Sequence, residues 1–173
     1  DINPQAVRIA NEAGLPIKLQ SLTEIDKENF DAVCSFQVLE HIADPQVYIR
    51  NSCNLLSNGG ILIFSVPNDD SYIKDEYNLL NIPPHHLTRW SLQTMTNLEQ
   101  LFPIKLLRYE LEPLAYYHVD GFVDSYLARL GQKPLFCCFR SYKIRRLVAW
   151  LLKVSKLYRK FTGHTLYVCF RKG

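Results

Sequence analysis

The succession of apolar and polar positions divides the chain into helical and strand-like segments. Pro4, close behind Asp1 and Asn3, reads as an early helical proline and predicts a helix over residues 4–12 that stops at Gly14. Residues 16–20 read as a short strand. Residues 30–36, Phe-Asp-Ala-Val-Cys-Ser-Phe, are a near-continuous apolar run, the pattern of a strand covered on both faces. Asp44 and Pro45 open the next helix as N-cap and first-turn proline, with apolar positions at Val47, Ile49, Leu55 and Leu56. Asn58-Gly59-Gly60 ends that helix, and residues 61–66, Ile-Leu-Ile-Phe-Ser-Val, form the strongest strand signal in the chain.

Pro67-Asn68-Asp69-Asp70 closes that strand, and residues 69–88 read as irregular. Ser91 caps a helix over 92–101 that stops before Pro103, and residues 104–111 read as a strand. Residues 114–162 are mostly helical. Their amphipathic stretch, 141–161, places Ile144, Leu147, Val148, Leu151 and Leu152 at helical spacing. Residues 164–170 form a last alternating strand. Strands alternating with helices predict an α/β domain with a mostly parallel sheet, its last two strands forming an antiparallel edge.

The length of 173 residues predicts one domain with a real core. Apolar and charged fractions of 47% and 21% exclude a disordered chain. No segment approaches the ~20 apolar residues that span a bilayer. The chain opens on Asp1 with neither an initiator Met nor a secretory pattern, which predicts a fragment or a processed chain. The five cysteines are odd in number and lack CxxC spacing, so neither a zinc pattern nor a disulfide framework is expected, and reduced thiols point to the cytoplasm. Cys34 and Cys169 lie in strand-like runs as small buried residues. Charge is uneven: all 17 acidic residues lie at or before Asp124, while 12 of the 20 Lys/Arg follow it. Such a block either attracts an anionic partner or neutralises the acidic part across an internal interface.

Three segments occur in a telling order: residues 1–7 (Asp-Ile-Asn-Pro-Gln-Ala-Val), residues 30–45 with Gln37-Val-Leu-Glu-His41 at their centre, and residues 59–68 (Gly-Gly-Ile-Leu-Ile-Phe-Ser-Val-Pro-Asn). The set resembles class I S-adenosylmethionine-dependent methyltransferases. Residues 83–91, Pro-Pro-His-His-Leu-Thr-Arg-Trp-Ser, are similar to a segment of members acting on small molecules and cell-surface glycans. The resemblance implies a Rossmann-like α/β sheet, mostly parallel with an antiparallel final strand, of which this chain lacks the first two strands and the glycine-rich loop. Residues 1–173 then form a single methyltransferase domain, incomplete at its N-terminus, with a helical basic insert at about 114–162.

The resemblance also implies roles. Asp1 and Ile2 meet the ribose of S-adenosylmethionine, Ser21 and Leu22 its adenine, and Phe36, Gln37 and Val38 the sulfonium side, at the carboxyl end of a parallel strand where open sheets bind ligands. Asp1 also reads as a helix N-terminal acid. His41, His85 and His86 are candidate catalytic histidines, and Arg89 and Asn68 candidate acceptor contacts. Neighbours on an extended loop point to opposite sides, so His85 and His86 do not serve one metal. No further ligand set is evident in the sequence, and no metal is expected. The reading requires Asp1 and Gln37–His41 to share one crevice.

The reaction implied is in-line methyl transfer to a small-molecule, lipid-linked or glycan acceptor. Lys143, Arg145, Arg146, Lys153, Lys156, Arg159 and Lys160 flank the apolar stripe of 141–161 and suit an anionic membrane surface, which would place a cytoplasmic protein peripherally at the inner membrane face. The competing reading is a degenerate, non-catalytic methyltransferase fold that binds a membrane or partner through these helices. A nucleic-acid role has no accompanying motif.

Overall fold

The computed structural model describes residues 1–26, 29–72, 74 and 81–173; the irregular stretch expected over 69–88 lies partly outside them. One four-stranded sheet is built from β1 (Phe30–Phe36), β2 (Leu56–Pro67), β3 (Ile104–Pro113) and β4 (Thr162–Lys172), in spatial order β1-β2-β4-β3. β1 and β2 are parallel, and β4 is antiparallel to both β2 and β3. Three strands therefore share one direction and the last runs against them. The last two strands, β3 and β4, form an antiparallel pair at one end of the sheet, as expected, with β4 inserted between β2 and the edge strand β3.

The caps follow the local chemistry. In α1 (Pro4–Glu12), Asn3 Oδ1 accepts the Gln5 and Ala6 N–H groups at 2.9 and 3.2 Å. The Asp44 carboxylate accepts the Val47 N–H at 3.0 Å to start α2 (Pro45–Leu55). Ser91 Oγ accepts the Thr94 N–H at 3.1 Å to start α3 (Leu92–Asn97), and a 3-10 turn, Leu98–Gln100, extends it. The helix-to-strand turn is tighter than the sequence suggests. Leu56 is buried and already pairs with Phe30, so the Asn58-Gly59 turn is a bulge within β2. A Cβ on Gly60 would stand 2.9 Å from the Ser57 carbonyl oxygen and 3.1 Å from that of Phe30, so only glycine fits.

Two strand expectations need correction. Residues 16–20 form no strand: the Ile17 backbone bonds the Asn11 side chain at 3.0 Å through both its N–H and its carbonyl, and beyond that the segment meets Asp1, whose amino group donates to the Lys18 carbonyl at 3.1 Å and whose carbonyl accepts the Gln20 N–H at 3.0 Å. A two-bond bridge is not a ladder. The second correction concerns β1, whose apolar run was read as covered on both faces. It is an edge strand, with Ser35 its only buried residue and Cys34 exposed, since among the described residues no strand pairs with its outer side.

The main core lies on one face of the sheet. Leu62, Phe64 and Val66 of β2 stand opposite Phe170, Val168 and Leu166 of β4, and all six are buried. Ile49 and Cys53 of α2, Met95 of α3 and Trp90 close over them. Burial pushes the Cys53 thiol pKa up, with Lys172 acting the other way.

Between β3 and β4 the chain builds a second, helical core from α4 (Val119–Leu130) and α5 (Tyr142–Ser155), where Val119, Val123 and Leu127 meet Ala149. Part of the basic block is neutralised inside this pair of helices. Asp120 holds Arg146 at 2.7 Å and also Lys153, and Asp124 lies 3.3 Å from Arg145. Only one side of α5 is buried. Leu147, Trp150, Leu151, Val154 and Leu157 form a second apolar strip that faces outward.

His118, just ahead of α4, meets His164 of β4 edge to face at 4.3 Å. Burial, and then His164, push its pKa below the ordinary imidazole value, while Glu112 acts the other way. The unfolded chain therefore binds this proton more readily. His118 contributes its stability fully above the ordinary value of 6.5 and loses it as pH falls through the lowered folded value. Thermal melts between pH 7.5 and 5 are expected to show a falling midpoint that His118→Gln flattens; parallel slopes for the two proteins would refute the assignment.

Candidate functional site

The carboxyl ends of the parallel pair β1 and β2 lie side by side, as Phe36 opposite Ser65 shows. Here the chain makes an abrupt turn. Gln37 takes φ +53°, a left-handed conformation costly for a residue with a Cβ, and is held there by two bonds to Ser65. Its N–H donates to the Ser65 carbonyl at 2.9 Å and its side-chain amide to Ser65 Oγ at 3.2 Å. The turn leaves Phe36, Gln37 and Val38 exposed at the rim and buries Leu39 and Glu40 of the 3-10 turn Leu39–His41, with His41 exposed.

A strap formed by residues 85–90 lies across that turn. The Glu40 carbonyl accepts the Leu87 and Thr88 N–H groups at 2.7 and 3.2 Å, and Thr88 Oγ1 donates to the Leu39 carbonyl at 3.2 Å. Trp90 Nε1 donates to Thr88 Oγ1 at 2.8 Å. His41 Nδ1 stands 2.6 Å from the His85 carbonyl oxygen, which can only accept, so Nδ1 carries the proton and Nε2 presents a lone pair. The Glu40 side chain is 2% exposed, and burial pushes its carboxyl pKa up, with its own backbone N–H and then His41 acting the other way. Burial, followed by His41 and His85, pushes the His86 pKa down.

The other expected residues sit differently. Asn68 is buried; its Oδ1 accepts the Asp70 N–H at 3.1 Å and its backbone bridges to Trp90, so it holds the loop after β2. Arg89 is ion-paired with Asp69 and donates to the Lys74 carbonyl at 3.1 Å, which spends it within the loop. His85 contributes its carbonyl, while His86 turns its ring toward His41, with centroids 4.9 Å apart. Glu40, His41 and His86 bring one ligand atom each within 4.8 Å of one another, a convergence that only the strap creates.

Asp1 and Gln37 do not share a crevice. Asp1 lines a cleft of about 330 Å³ with Gln20, Asp26 and Phe30, at the amino end of β1. Gln37 lies a strand length further on, about 20 Å at 3.3 Å per residue. The Asp1 carboxylate accepts the Asn3 N–H at 2.8 Å, Ile2 is exposed, and Ser21 Oγ pairs with Thr23 at 2.9 Å next to Leu22. Among the described residues no strand pairs with the outer edge of β1, and the Asp1 cleft lies beside Phe30 at its amino end. One cleft escaped the sequence reading, because its walls come from distant segments. It measures about 330 Å³ and lies between Asp70, Ser71 and Tyr72 after β2 and Phe122 and Tyr126 of α4.

A family profile described as a methyltransferase domain matches residues 1–107. The chain belongs to that family. The domain's α/β sheet with its antiparallel last strand is the Rossmann-like fold of the class I S-adenosylmethionine-dependent methyltransferases, as expected. A ubiquinone biosynthesis O-methyltransferase of Xanthomonas axonopodis pv. citri (strain 306) is 35% identical over 77 residues, 39% of this chain and 32% of that protein. A protein of the same name from Alkalilimnicola ehrlichii (strain ATCC BAA-1101 / DSM 17681 / MLHE-1) is 29% identical over 135 residues, 68% of this chain and 53% of that one. The matched part thus spans about a third to a half of these curated relatives. Among solved structures, a protein described as a sarcosine dimethylglycine methyltransferase from Galdieria sulphuraria superposes with TM-score 0.58 at 19% identity, over 100% of this chain and 68% of that one; this likeness bears on the fold. The assignment rests on the matched segment and stands although the Asp1 side chain lies away from the rim.

Proposed function

We propose that the protein carrying this domain transfers a methyl group from S-adenosylmethionine to a hydroxyl of a small-molecule acceptor, lipid-linked or glycan acceptors being the other members of the expected class. One observation carries the reading: the strained Gln37 turn and the His41 Nε2 lone pair stand together at the carboxyl rim of β1. Phe36, Gln37 and Val38 hold the sulfonium side. Asp1, Ile2, Ser21 and Leu22 reach the adenosyl end once a strand seated on the outer edge of β1 lifts them to this rim. The names of the curated relatives support an oxygen acceptor.

The chemistry asks mainly for alignment and water exclusion, effects worth roughly 7–11 kcal/mol in intramolecular models. S-adenosylmethionine, when bound, would supply the activated methyl group; the O–CH3 bond would form as the CH3–S bond breaks to leave a neutral thioether, and His41 Nε2 would accept the hydroxyl proton. His85 orients that ring through its carbonyl, and His86 stands beside it. Asn68 and Arg89 shape the loop against which the acceptor rests. The aromatic cleft beneath α4 suits a flat acceptor, with Tyr72 and Phe122 meeting at 5.5 Å and the buried Ser71 Oγ unpartnered on its wall. In this reading residues 1–173 act as one domain whose insert, about 114–162, covers the acceptor.

A second reading, a non-catalytic module, is favoured by the separation of Asp1 from Gln37. Calorimetry with S-adenosylhomocysteine on the whole protein decides between them. One site per chain is expected, weakened by Gln37→Ala; no heat at millimolar ligand would leave the second reading.

Among the described residues no helix is long and apolar enough to cross a membrane. The outward strip Leu147-Trp150-Leu151-Val154, with Lys143, Lys156 and Lys160 outside the ion pairs of α4, supports docking of residues 141–161 on an anionic membrane surface from the cytoplasmic side. Sedimentation with phosphatidylglycerol vesicles at low salt is expected, with loss on Trp150→Ser/Leu151→Ser; absence of binding at low salt would remove this partner.

A further inference from the structure

We propose that Glu40, His41 and His86 form a site for a divalent transition ion of the zinc type, with coordination positions left open for an acceptor oxygen. Their three ligand atoms lie within 4.8 Å of one another, and His41 Nε2 is 3.8 Å from Glu40 Oε1. The second observation is independent of this clustering. Glu40 Oε2 is buried in a residue 1% exposed and has no hydrogen-bond partner among the described residues, a position costly for a carboxylate oxygen unless a cation or donor meets it.

The histidines are oriented as ligands. His41 Nδ1 donates to the His85 carbonyl at 2.6 Å, and His86 Nδ1 lies 2.8 Å from Asn81 Oδ1, which accepts its proton. Both rings therefore hold the Nδ1–H tautomer with Nε2 lone pairs available, the arrangement by which second-layer oxygens fix imidazole ligands. A proton acceptor needs one such lone pair; here two imidazoles and a carboxylate converge. Two His and one Glu make up the donor set of three-ligand zinc sites, and the same mix suits Co²⁺ and Fe²⁺ better than Mg²⁺ or Ca²⁺. The His41 side chain is 49% exposed, so the open positions face solvent and an incoming acceptor.

The inference deepens the proposed methyl transfer but does not depend on it for its test. With the ion present, the acceptor hydroxyl binds as a further ligand and loses its proton to water. The O–CH3 bond then forms as the CH3–S bond breaks; in the ion-free protein His41 Nε2 takes that proton as above, so His41→Ala lowers turnover in either state.

The test is titration of the chelator-treated whole protein with Zn²⁺ by calorimetry and with Co²⁺ by visible absorption. One ion per chain is expected, with cobalt bands typical of low coordination number. Asn81→Ala, which removes only an orienting oxygen, is expected to weaken binding by about 10–100-fold, and His86→Ala by more. Circular dichroism reports whether each variant is folded, and Asn81→Ala keeps the test informative should His86→Ala fail to fold. Cys137→Ser/Cys138→Ser, at exposed thiols, is expected to leave binding unchanged. Absence of one-to-one binding, binding that survives His86→Ala, or binding lost with the two thiols would overturn the site. Failure of metal binding with intact methyl transfer removes the ion alone. Metal binding without affinity for S-adenosylhomocysteine removes the methyltransferase reading and keeps the site.

Discussion

His41→Ala is expected to lower kcat for transfer to a hydroxyl acceptor by about 10²–10⁴-fold, the usual worth of a positioned proton acceptor. The imidazole is fixed through Nδ1 by the His85 carbonyl, and its free nitrogen points away from that bond at the rim where Gln37 turns. The Gln37 turn, the proposed cofactor contact, is held by the two bonds Gln37 donates to Ser65 and not by His41. Affinity for S-adenosylhomocysteine should therefore be unchanged in the variant, with the loss confined to turnover. Equal losses in cofactor affinity and turnover would make His41 a support of the strap instead.

Phe64→Ala is expected to cost about 3–5 kcal/mol of stability, the range for emptying a large aromatic site in a close-packed core. Phe64 is fully buried in β2 and faces Val168 across the antiparallel pair, beneath the layer made by α2, α3 and Trp90. Backbone ladders on both sides of β2 resist collapse into the void, which places the cost toward the upper end. Urea melts followed by circular dichroism measure it, and a loss below about 1 kcal/mol would mean that the sheet face is not closed as described. Phe36, exposed on the rim of the neighbouring strand, is the control whose replacement by Ala should leave stability nearly unchanged.

Much of the architecture is legible in the sequence because it depends on neighbours a few residues apart. Asn3, Asp44 and Ser91 cap their helices through bonds that span two or three residues, and Gly59, at φ +77°, and Gly60, tight against two carbonyls, mark a turn that favours glycine. The apolar runs identify β1, β2 and β4 for the same reason, since side-chain alternation is local. Coverage is not local. β1 has the composition of an interior strand yet stands at an edge, and residues 16–20 have strand composition without a ladder to join. Only the pairing partner decides either case.

The site divides in the same way. The Gln37–His41 segment is recognisable from its residue order, and its strained turn is where such a segment is expected to bind a ligand. Asn68 and Arg89, candidate acceptor contacts by the resemblance, are each engaged by their own loop, through Asp70 and Asp69, which only the packed chain shows. Likewise, the basic block was visible as a run of charge, but its partial neutralisation by Asp120 and Asp124 depends on how α4 packs against α5.

By itself the sequence determined the helices and the four paired strands, though not the absence of a strand at 16–20, together with the caps and the membership in a methyltransferase family, because these are written in local pattern and residue order. Only the tertiary structure decided that His86 joins Glu40 and His41, more than forty residues away, and that Asp1 rests at the far end of β1. The physical reason is that burial, ligand convergence and edge pairing are properties of chain segments brought together by packing. Their free energies arise from removing water between residues whose separation along the chain carries no signal of their meeting.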